Sequence, residues 1–598
     1  MQIQNVRNFA IIAHIDHGKS TLADRIMEQT QTVSDRESQA QLLDDLAVEQ
    51  AHGVTVKSRT VRNYYTADDG QEYEYNFIDT PGHVDFTYEV SKSLAASDGA
   101  LLLVDATQGV QAQTVANLRL AQDNHLTVIP VINKIDAAAA DVERTTEQIR
   151  SLSPDFADVT MLKISAKTGL NVHDVLEAIH TTIPAPTGSV KQPLKALVFD
   201  SQYDAFKGII AYVRLMDGQL KPNDKLKLMA TDQPVTANEI GIFTPQRVAA
   251  KQLVAGDVGY VVTGLKDPQA LRVGDTLTSV ANPTATALPG YQPSQSMVFA
   301  GFYPQGDHYH DLQLAVEKLA LNDASFHYRP ESSDALGAGF RCGFLGIFHL
   351  QIIRERLHDE YGLDVLTTAP NVTYRVHVKN VDEPVIVDNP IKFPDYSQID
   401  YVEEPLATAT ITTTSESLSD VMKLATQHKG ELQDMRNQGD LVVLEYQLPF
   451  AEIAYDFFNA LKSVSHGYAT LTTELAGYDI ADVVKVEVHV NYARVDALSF
   501  VVHREDAPLM AQELVHKLKF VIPRKLNPMP VQSVVEGKAL ARVDVPPLRK
   551  NAAANGEKRS TSKKQALLRR QSMNKRQSAH SDIELPQEVF NAVLDLEK

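Results

Sequence analysis

The sequence predicts a multidomain α/β and α+β protein: an α/β unit with a mostly parallel sheet, a β-barrel, two ferredoxin-like α+β units, and a C-terminal α+β unit with a basic tail. Three observations carry this. Residues 1–187 alternate apolar strands with helical stretches, as a mostly parallel sheet requires. Residues 189–282 change to short strands with turn punctuation, such as Gly208-Ile209-Ile210-Ala211-Tyr212-Val213 and Asp217-Gly218, which reads as a barrel. Residues 296–370 and 400–482 then each carry a β-α-β pattern of ferredoxin-like size, before strands resume over 483–598. A length of 598 residues suggests about four domains at roughly 150 residues each.

The first strand is the apolar run Asn8-Phe9-Ala10-Ile11-Ile12, and a helix is expected over 19–28. Between them lies Ala13-His14-Ile15-Asp16-His17-Gly18-Lys19-Ser20, followed by Thr21. A tight turn from strand to helix aims backbone N–H groups and the positive end of the helix dipole at an anion. Lys19 is then placed to reach β- and γ-phosphates and the Ser20 hydroxyl to ligate Mg²⁺. Ala13 stands where the generic pattern has Gly, losing freedom at positive φ. Taken alone, the stretch also reads as a strand–loop–helix corner with an incidental lysine. His14, Asp16 and His17 as metal ligands are disfavoured by their position in a phosphate loop.

A strand over 72–78 runs into Asp79-Thr80-Pro81-Gly82-His83. An acid at that strand end can hold Mg²⁺ through water. Gly82 lets its N–H approach a γ-phosphate, and the side chain of His83 is placed to orient an attacking water. The next strand, Thr127-Val128-Ile129-Pro130-Val131-Ile132, ends in Asn133-Lys134-Ile135-Asp136, at the carboxyl end where open α/β sheets bind ligands. A carboxylate at Asp136 accepts from the N1–H and exocyclic amine of guanine, a donor pair that adenine lacks. Asn133 braces the loop, the Lys134 stem lies over the base, and Ser165-Ala166-Lys167 offers a backbone N–H to the guanine oxygen. These segments in this order describe a GTP site.

A break at Ile183-Pro184-Ala185-Pro186 ends the first unit, and a Pro/Ser/Thr-rich linker covers 281–296. Helices are expected at 311–321, 346–361, 418–428, 509–519 and 589–596. Arg354 and Arg356 with Glu355 and Glu360 read as a solvated helix face. No apolar run approaches the ~18 residues of a membrane span, and no signal peptide is visible. The lone Cys342 fits a reducing cytosol; beside Arg341 it is either a reactive thiol or a small buried hydrophobe. Net charge is −19, which by itself argues against nucleic acid. Yet residues 549–576 hold ten bases, among them Arg549, Lys550, Lys558, Arg559, Lys563 and Lys564, against the single acid Glu557. A basic element on an acidic body gives an oriented footprint on RNA phosphate, or else a solubilising tail. Lys517, Lys519, Arg524 and Lys525 are open to the same two readings.

These residues resemble the translational GTPases, and within that group the LepA family, also called elongation factor 4. The discriminating run is Ala335-Leu336-Gly337-Ala338-Gly339-Phe340-Arg341-Cys342-Gly343-Phe344-Leu345-Gly346, supported by Val495-Asp496-Ala497-Leu498-Ser499, Ile522-Pro523-Arg524, Leu548-Arg549-Lys550-Asn551 and Leu585-Pro586-Gln587-Glu588. Elongation factor G would carry an extra domain between the two α+β units, and the BipA family lacks the GFRCGFLG run. The resemblance implies a five-part, cytoplasmic, monomeric GTPase that turns GTP into GDP and phosphate with Mg²⁺ and meets the ribosome and transfer RNA, with no DNA partner. It implies Thr55 as the switch threonine on Mg²⁺, Ile15 and Val54 as an apolar gate around His83, and Asp16 as a ligand for a monovalent cation. It also raises peripheral contact with the cytoplasmic face of the membrane.

Departures from the family mark a divergent member, a paralogue with its own ribosomal behaviour. The first switch usually reads ERERGIT; here it is Glu49-Gln50-Ala51-His52-Gly53-Val54-Thr55. The tail usually carries CYGGD after LRKN, and this chain has 551–562 in its place. Lys429-Gly430 and His466-Gly467 stand where the family often has Arg-Gly. The expected function is a ribosome-dependent translation factor that moves transfer RNA by back-translocation, fidelity control or rescue. The alternative is a GTP-timed ribosome-assembly or RNA-binding regulatory factor.

Overall fold

The structure is a computed structural model that describes residues 2–14, 16–33, 48–49, 55, 57–81, 86–204, 206–267, 270–289, 296–323, 325–438, 441–453, 457–465, 469–525, 528–548 and 588–590. Its first unit is a six-stranded sheet in the order β2-β3-β1-β4-β5-β6. The strands are β1 (Val6–Ala13), β2 (Arg59–Thr66), β3 (Glu72–Asp79), β4 (Gly99–Asp105), β5 (Thr127–Asn133) and β6 (Leu162–Lys163). All neighbours are parallel except the β2–β3 pair. Helices α1 (Lys19–Gln29), α2 (Thr87–Ala95), α3 (Ala112–Asp123), α4 (Val142–Leu152) and α5 (Val172–Thr182) cover both faces.

The two-residue period of β1 explains this sandwich. Phe9, Ile11 and Ala13 face Leu22 and Ile26 of α1 and Val175 and Ile179 of α5. Ala10 and Ile12 face Val90 of α2, Leu118 of α3 and Ile149 of α4. Both faces of the strand are buried, so it reads as a continuous apolar run rather than an alternating one. Parallel strands point their carboxyl ends to one edge, and Ala13, Asp79, Asp105 and Asn133 all end their strands.

The second unit is an antiparallel eight-stranded barrel sheet whose first two strands are Lys195–Asp204 and Gly208–Asp217. Its core holds Val198, Val213, Leu226, Val261 and Leu277. Buried Arg62 of β2 ties the two units together, reaching Glu74 and Asp257 at 3.1 Å each.

Both α+β units show the β-α-β-β-α-β order of a ferredoxin-like sandwich. In the first, strands Val298–Pro304, His327–Ser333, Gly337–Phe344 and Val365–Thr367 carry helices Tyr309–Asn322 and Ile347–Tyr361. The second is built on the 16-residue strand Ile399–Thr414, where the sequence pattern marks only Ala407–Thr413 as strand. Residues 371–399, which the sequence reading left between units, add strands Tyr374–Val378 and Val385–Val387 to that long strand. Cys342 is fully buried between Ala300 and Tyr328 in the first α+β sheet, and burial pushes its thiol well up, so it behaves as a small hydrophobe. Arg356 is mostly buried and bonds Glu360 rather than standing on a solvated face.

The C-terminal unit pairs Val483–Val490, Ala493–His503, Met529–Val535 and Lys538–Val545 beneath helix Ala507–Val521. Two of the runs on which the family resemblance rests meet here. Buried Asp496 accepts from Ser333 Oγ at 2.7 Å and from the Asp334 N–H at 2.8 Å, just before the run that begins at Ala335. His503 sits between Glu404 at 2.9 Å and Glu452 at 3.3 Å. Burial disfavours its charge, but the two carboxylates outweigh burial and raise it to about 9.

Candidate nucleotide site

The turn after β1 is shaped by two backbone positions. Asp16 has φ 63° and Gly18 has φ 94°. A Cβ on Gly18 would lie 2.5 Å from Asn133 Nδ2, so both conformation and space require glycine there. Ala13 is the last residue of the extended strand β1 and is absent from the positive-φ positions, so it needs no glycine freedom. Its carbonyl accepts from Asn117 Nδ2 at 3.2 Å. Gly18 caps α1 in the left-handed region with no side-chain cap bond, which leaves the first N–H groups of the helix to an outside acceptor.

Lys19 opens α1 and is largely buried. Its ammonium donates to Asp79 Oδ1 at 2.7 Å and to Thr55 Oγ1 at 2.8 Å. Asp79 is fully buried and Thr55 nearly so. One cation thus gathers a carboxylate at the end of β3 and a hydroxyl more than twenty residues upstream of it. Ser20 is the next residue of the same helix. The Asp79 carboxylate and the Thr55 hydroxyl, brought together on Lys19, are hard oxygen donors of the kind Mg²⁺ takes. Thr80 donates to the Ile11 carbonyl at 2.7 Å, which fixes the exit of β3 beside β1.

His17 is fully buried, and its Nδ1 lies 3.3 Å from the Asp105 N–H. Burial lowers His17 to about 3 and His14 to about 4, so both stay neutral at physiological pH. Their rings pack edge to face at 5.1 Å. His17 therefore anchors the loop to β4 and brings no charge to it.

The base-side segments join the phosphate loop through one residue. Asn133 Nδ2 donates to the His17 carbonyl at 2.9 Å, while its Oδ1 accepts from the Ala166 N–H at 2.9 Å. Lys134, at φ 60°, donates to the Asp16 carbonyl at 2.6 Å and pairs with Asp105 at 2.8 Å. Asp136 and Lys167 are exposed, while Ser165 and Ala166 are buried. This leaves the Asp136 carboxylate open to a ligand while the frame around it is fixed.

Asp105 and Arg25 belong to this frame and were missed in the sequence. Burial pushes Asp105 up, but Lys134 and Thr107 outweigh it and hold the carboxyl below its ordinary range. The signal was available, because Asp105 ends a strand at the same sheet edge as Asp79 and Asn133. Arg25 of α1 donates to the Ala166 and Lys167 carbonyls at 2.9 Å each, a tertiary contact with no local pattern. Ile15, Val54, Gly82 and His83 lie outside the described residues, as do Arg549, Lys550, Lys558, Arg559, Lys563 and Lys564. Thr21 is exposed on α1.

Comparison with known proteins covers most of the chain. Residues 4–185 match the family "Elongation factor Tu GTP binding domain", 208–278 match "Elongation factor Tu domain 2", 401–489 match "Elongation factor G C-terminus", and 490–595 match "GTP-binding protein LepA C-terminus". The chain is 64% identical over 596 residues to "Elongation factor 4 2" of Lactiplantibacillus plantarum, with 100% of both chains covered. It is 48% identical to "Elongation factor 4" of Streptococcus gordonii, covering 100% of this chain and 98% of that one. A crystal structure from Thermus thermophilus shares the fold at TM-score 0.57 and 19% identity, over 80% of this chain and 97% of that one. With its full-length relatives and its GTP-binding unit in agreement, the chain belongs to the elongation factor 4 (LepA) family and is a GTPase.

Proposed function

We propose that this GTPase is a ribosome-dependent translation factor: it binds the ribosome in the GTP state, remodels the position of transfer RNA, and leaves after hydrolysis to GDP and phosphate. The observation that carries the reading is the gathering of Thr55 and Asp79 on Lys19, on a loop that Asn133 ties to the guanine-side segment. In this reading Lys19 binds the β- and γ-phosphates, and Ser20, Thr55 and Asp79 hold Mg²⁺. Bound Mg²⁺ neutralises charge on the phosphate oxygens. Asp136 reads guanine, with Lys134 over the base and Ser165, Ala166 and Lys167 around its oxygen. His83 orients water and Asp16 holds a monovalent cation. Phosphoryl transfer needs mainly positioning and charge stabilisation, which these groups and the loop amides supply.

The RNA side of the reading is supported at the end of helix Ala507–Val521. Arg524 and Phe520 are exposed there, Phe520 at 78%, and Lys519 and Lys525 lie beside them partly exposed. Leu548, the last described residue before the ten-base segment, donates its N–H to the Lys525 carbonyl at 2.8 Å. We read the factor as a cytoplasmic monomer whose basic segment also allows peripheral membrane contact. Among the described residues no helix is long and apolar enough to cross a membrane.

Sedimentation of the protein with a non-hydrolysable GTP analogue tests the reading. Co-sedimentation with whole ribosomes is expected. Co-sedimentation only with subunit precursors would replace the translation reading by an assembly factor, and only with anionic vesicles by a membrane role. His83→Ala is expected to keep GTP affinity and to lower ribosome-stimulated turnover by about 100-fold or more. Unchanged turnover would remove His83 from the mechanism.

A further inference from the structure

Two residues after Thr55 stands Lys57, whose bonds among the described residues lie away from the phosphate loop and the base-side frame. Its ammonium donates to the Ser201 carbonyl of the barrel and to the Asn322 carbonyl of the first α+β unit, both at 3.2 Å. It also lies 3.8 Å from the nearly buried Asp200 carboxylate. Asn322 is the last residue of helix Tyr309–Asn322, where unsatisfied carbonyls carry partial negative charge and favour a cation. The Lys57 N–H donates to fully buried Glu49 at 3.1 Å. Lys57 thus joins three units at one point while its own backbone is pinned.

The same junction touches the segment on the other side of the site. Lys92 of α2 lies 3.9 Å from the same Asp200 carboxylate, and Ser58 and Ser93 share a hydrogen bond of 2.7 Å. Asn322 also accepts the Tyr203 N–H at 3.1 Å, so the barrel and the first α+β unit are bonded to each other beside Lys57. Two residues span about 7 Å at most, so a large displacement of the Lys57 backbone carries Thr55 with it.

We propose that Lys57 is a positioning residue for GTP hydrolysis, making the placement of Thr55 depend on the seating of the barrel and the first α+β unit. The proposal rests on the reading of Thr55 as a ligand needed in the GTP state. When either unit shifts, the ammonium loses its carbonyls and the segment carrying Thr55 loses its outer anchor. Among the described residues Lys57 bonds none of the groups assigned to the base or the phosphates, so GDP affinity should change little.

The test uses the full chain without ribosomes, so it is independent of the ribosomal reading. Single-turnover GTP hydrolysis and affinities for GDP and a non-hydrolysable GTP analogue are measured for Lys57→Met, Lys57→Arg and Thr55→Ala, with thermal melting as a check on folding. Lys57→Met is expected to slow hydrolysis by about tenfold, since small misplacements near reacting atoms carry such costs. It should weaken the GTP analogue several-fold relative to GDP, leave GDP affinity within about twofold, and Lys57→Arg should recover most of the loss, arginine keeping the charge and the donors. A slowed Thr55→Ala beside an unchanged Lys57→Met would overturn the Lys57 proposal alone. An unchanged Thr55→Ala would overturn the reading of Thr55 and the proposal with it. Equal losses of GDP and analogue affinity in Lys57→Met would show a merely structural contact and overturn it as well.

Discussion

Replacing Lys19 by methionine is expected to lower affinity for GTP and GDP by at least about 100-fold, since charge-assisted hydrogen bonds contribute roughly 1.5–3 kcal/mol each. The effect should have a second, separable part. Lys19 is largely buried and its ammonium is shared by the buried Asp79 carboxylate and the Thr55 hydroxyl. Removing one partner of a buried ion pair costs about 3–5 kcal/mol, because the other charge keeps its desolvation penalty. Lys19→Met should therefore also melt at a lower temperature than the parent in nucleotide-free buffer. Thr55→Ala, which removes one neutral acceptor, should shift stability by only about 1 kcal/mol. Fluorescent-nucleotide titration and denaturant unfolding measure the two parts. GTP affinity within threefold of the parent would mean that the loop does not hold phosphate.

Asp136→Asn is expected to change which base the site accepts. The carboxylate is exposed at the end of β5, on a frame held by Asn133 and Lys134. In the proposed reading it accepts two N–H donors of guanine, and an amide in its place meets one of them with a donor of its own. Xanthine carries an oxygen where guanine has its exocyclic amine, so the amide pairs with xanthine instead. Loss of one charge-assisted bond, weakening of the other and a donor set against a donor together predict a fall in guanine nucleotide affinity of about 100-fold or more. Stability should stay within about 0.5 kcal/mol, since the residue is exposed and accepts no bond that holds the fold. Competition between xanthosine and guanosine diphosphates reads the outcome. Retained preference for guanosine would remove Asp136 as the base reader.

The reach of the sequence in this protein follows the range of the interactions. β1 was readable because both its faces are buried, making a continuous apolar run, and α1 because it follows a turn with an obligatory glycine. The ferredoxin-like units were readable as β-α-β order, but strand Ile399–Thr414 outran its expected length. Near its start, Asp400, Tyr401 and Glu403 are polar or charged and are made strand by pairing with Tyr374–Val378, a partner no local pattern announces. In the site, the sequence segments stood out because each holds a residue whose own functional group suits a proposed task. Asp105 and Arg25 did not, since each acts on another residue: Asp105 on Lys134, and Arg25 on the carbonyls of Ala166 and Lys167. Ala13 departs from a generic glycine pattern, and the strand conformation at that position makes the departure harmless.

The altered first switch bears on the whole account. Glu49 is buried and accepts the Lys57 N–H, so the acid that this chain keeps at the start of EQAHGVT has an internal task. GTP hydrolysis with and without purified whole ribosomes, at matched salt, is the measurement that tests the central claim most directly. The account predicts strong stimulation by ribosomes, with His83→Ala losing it. Intact GTP binding with no stimulation by whole ribosomes would contradict it.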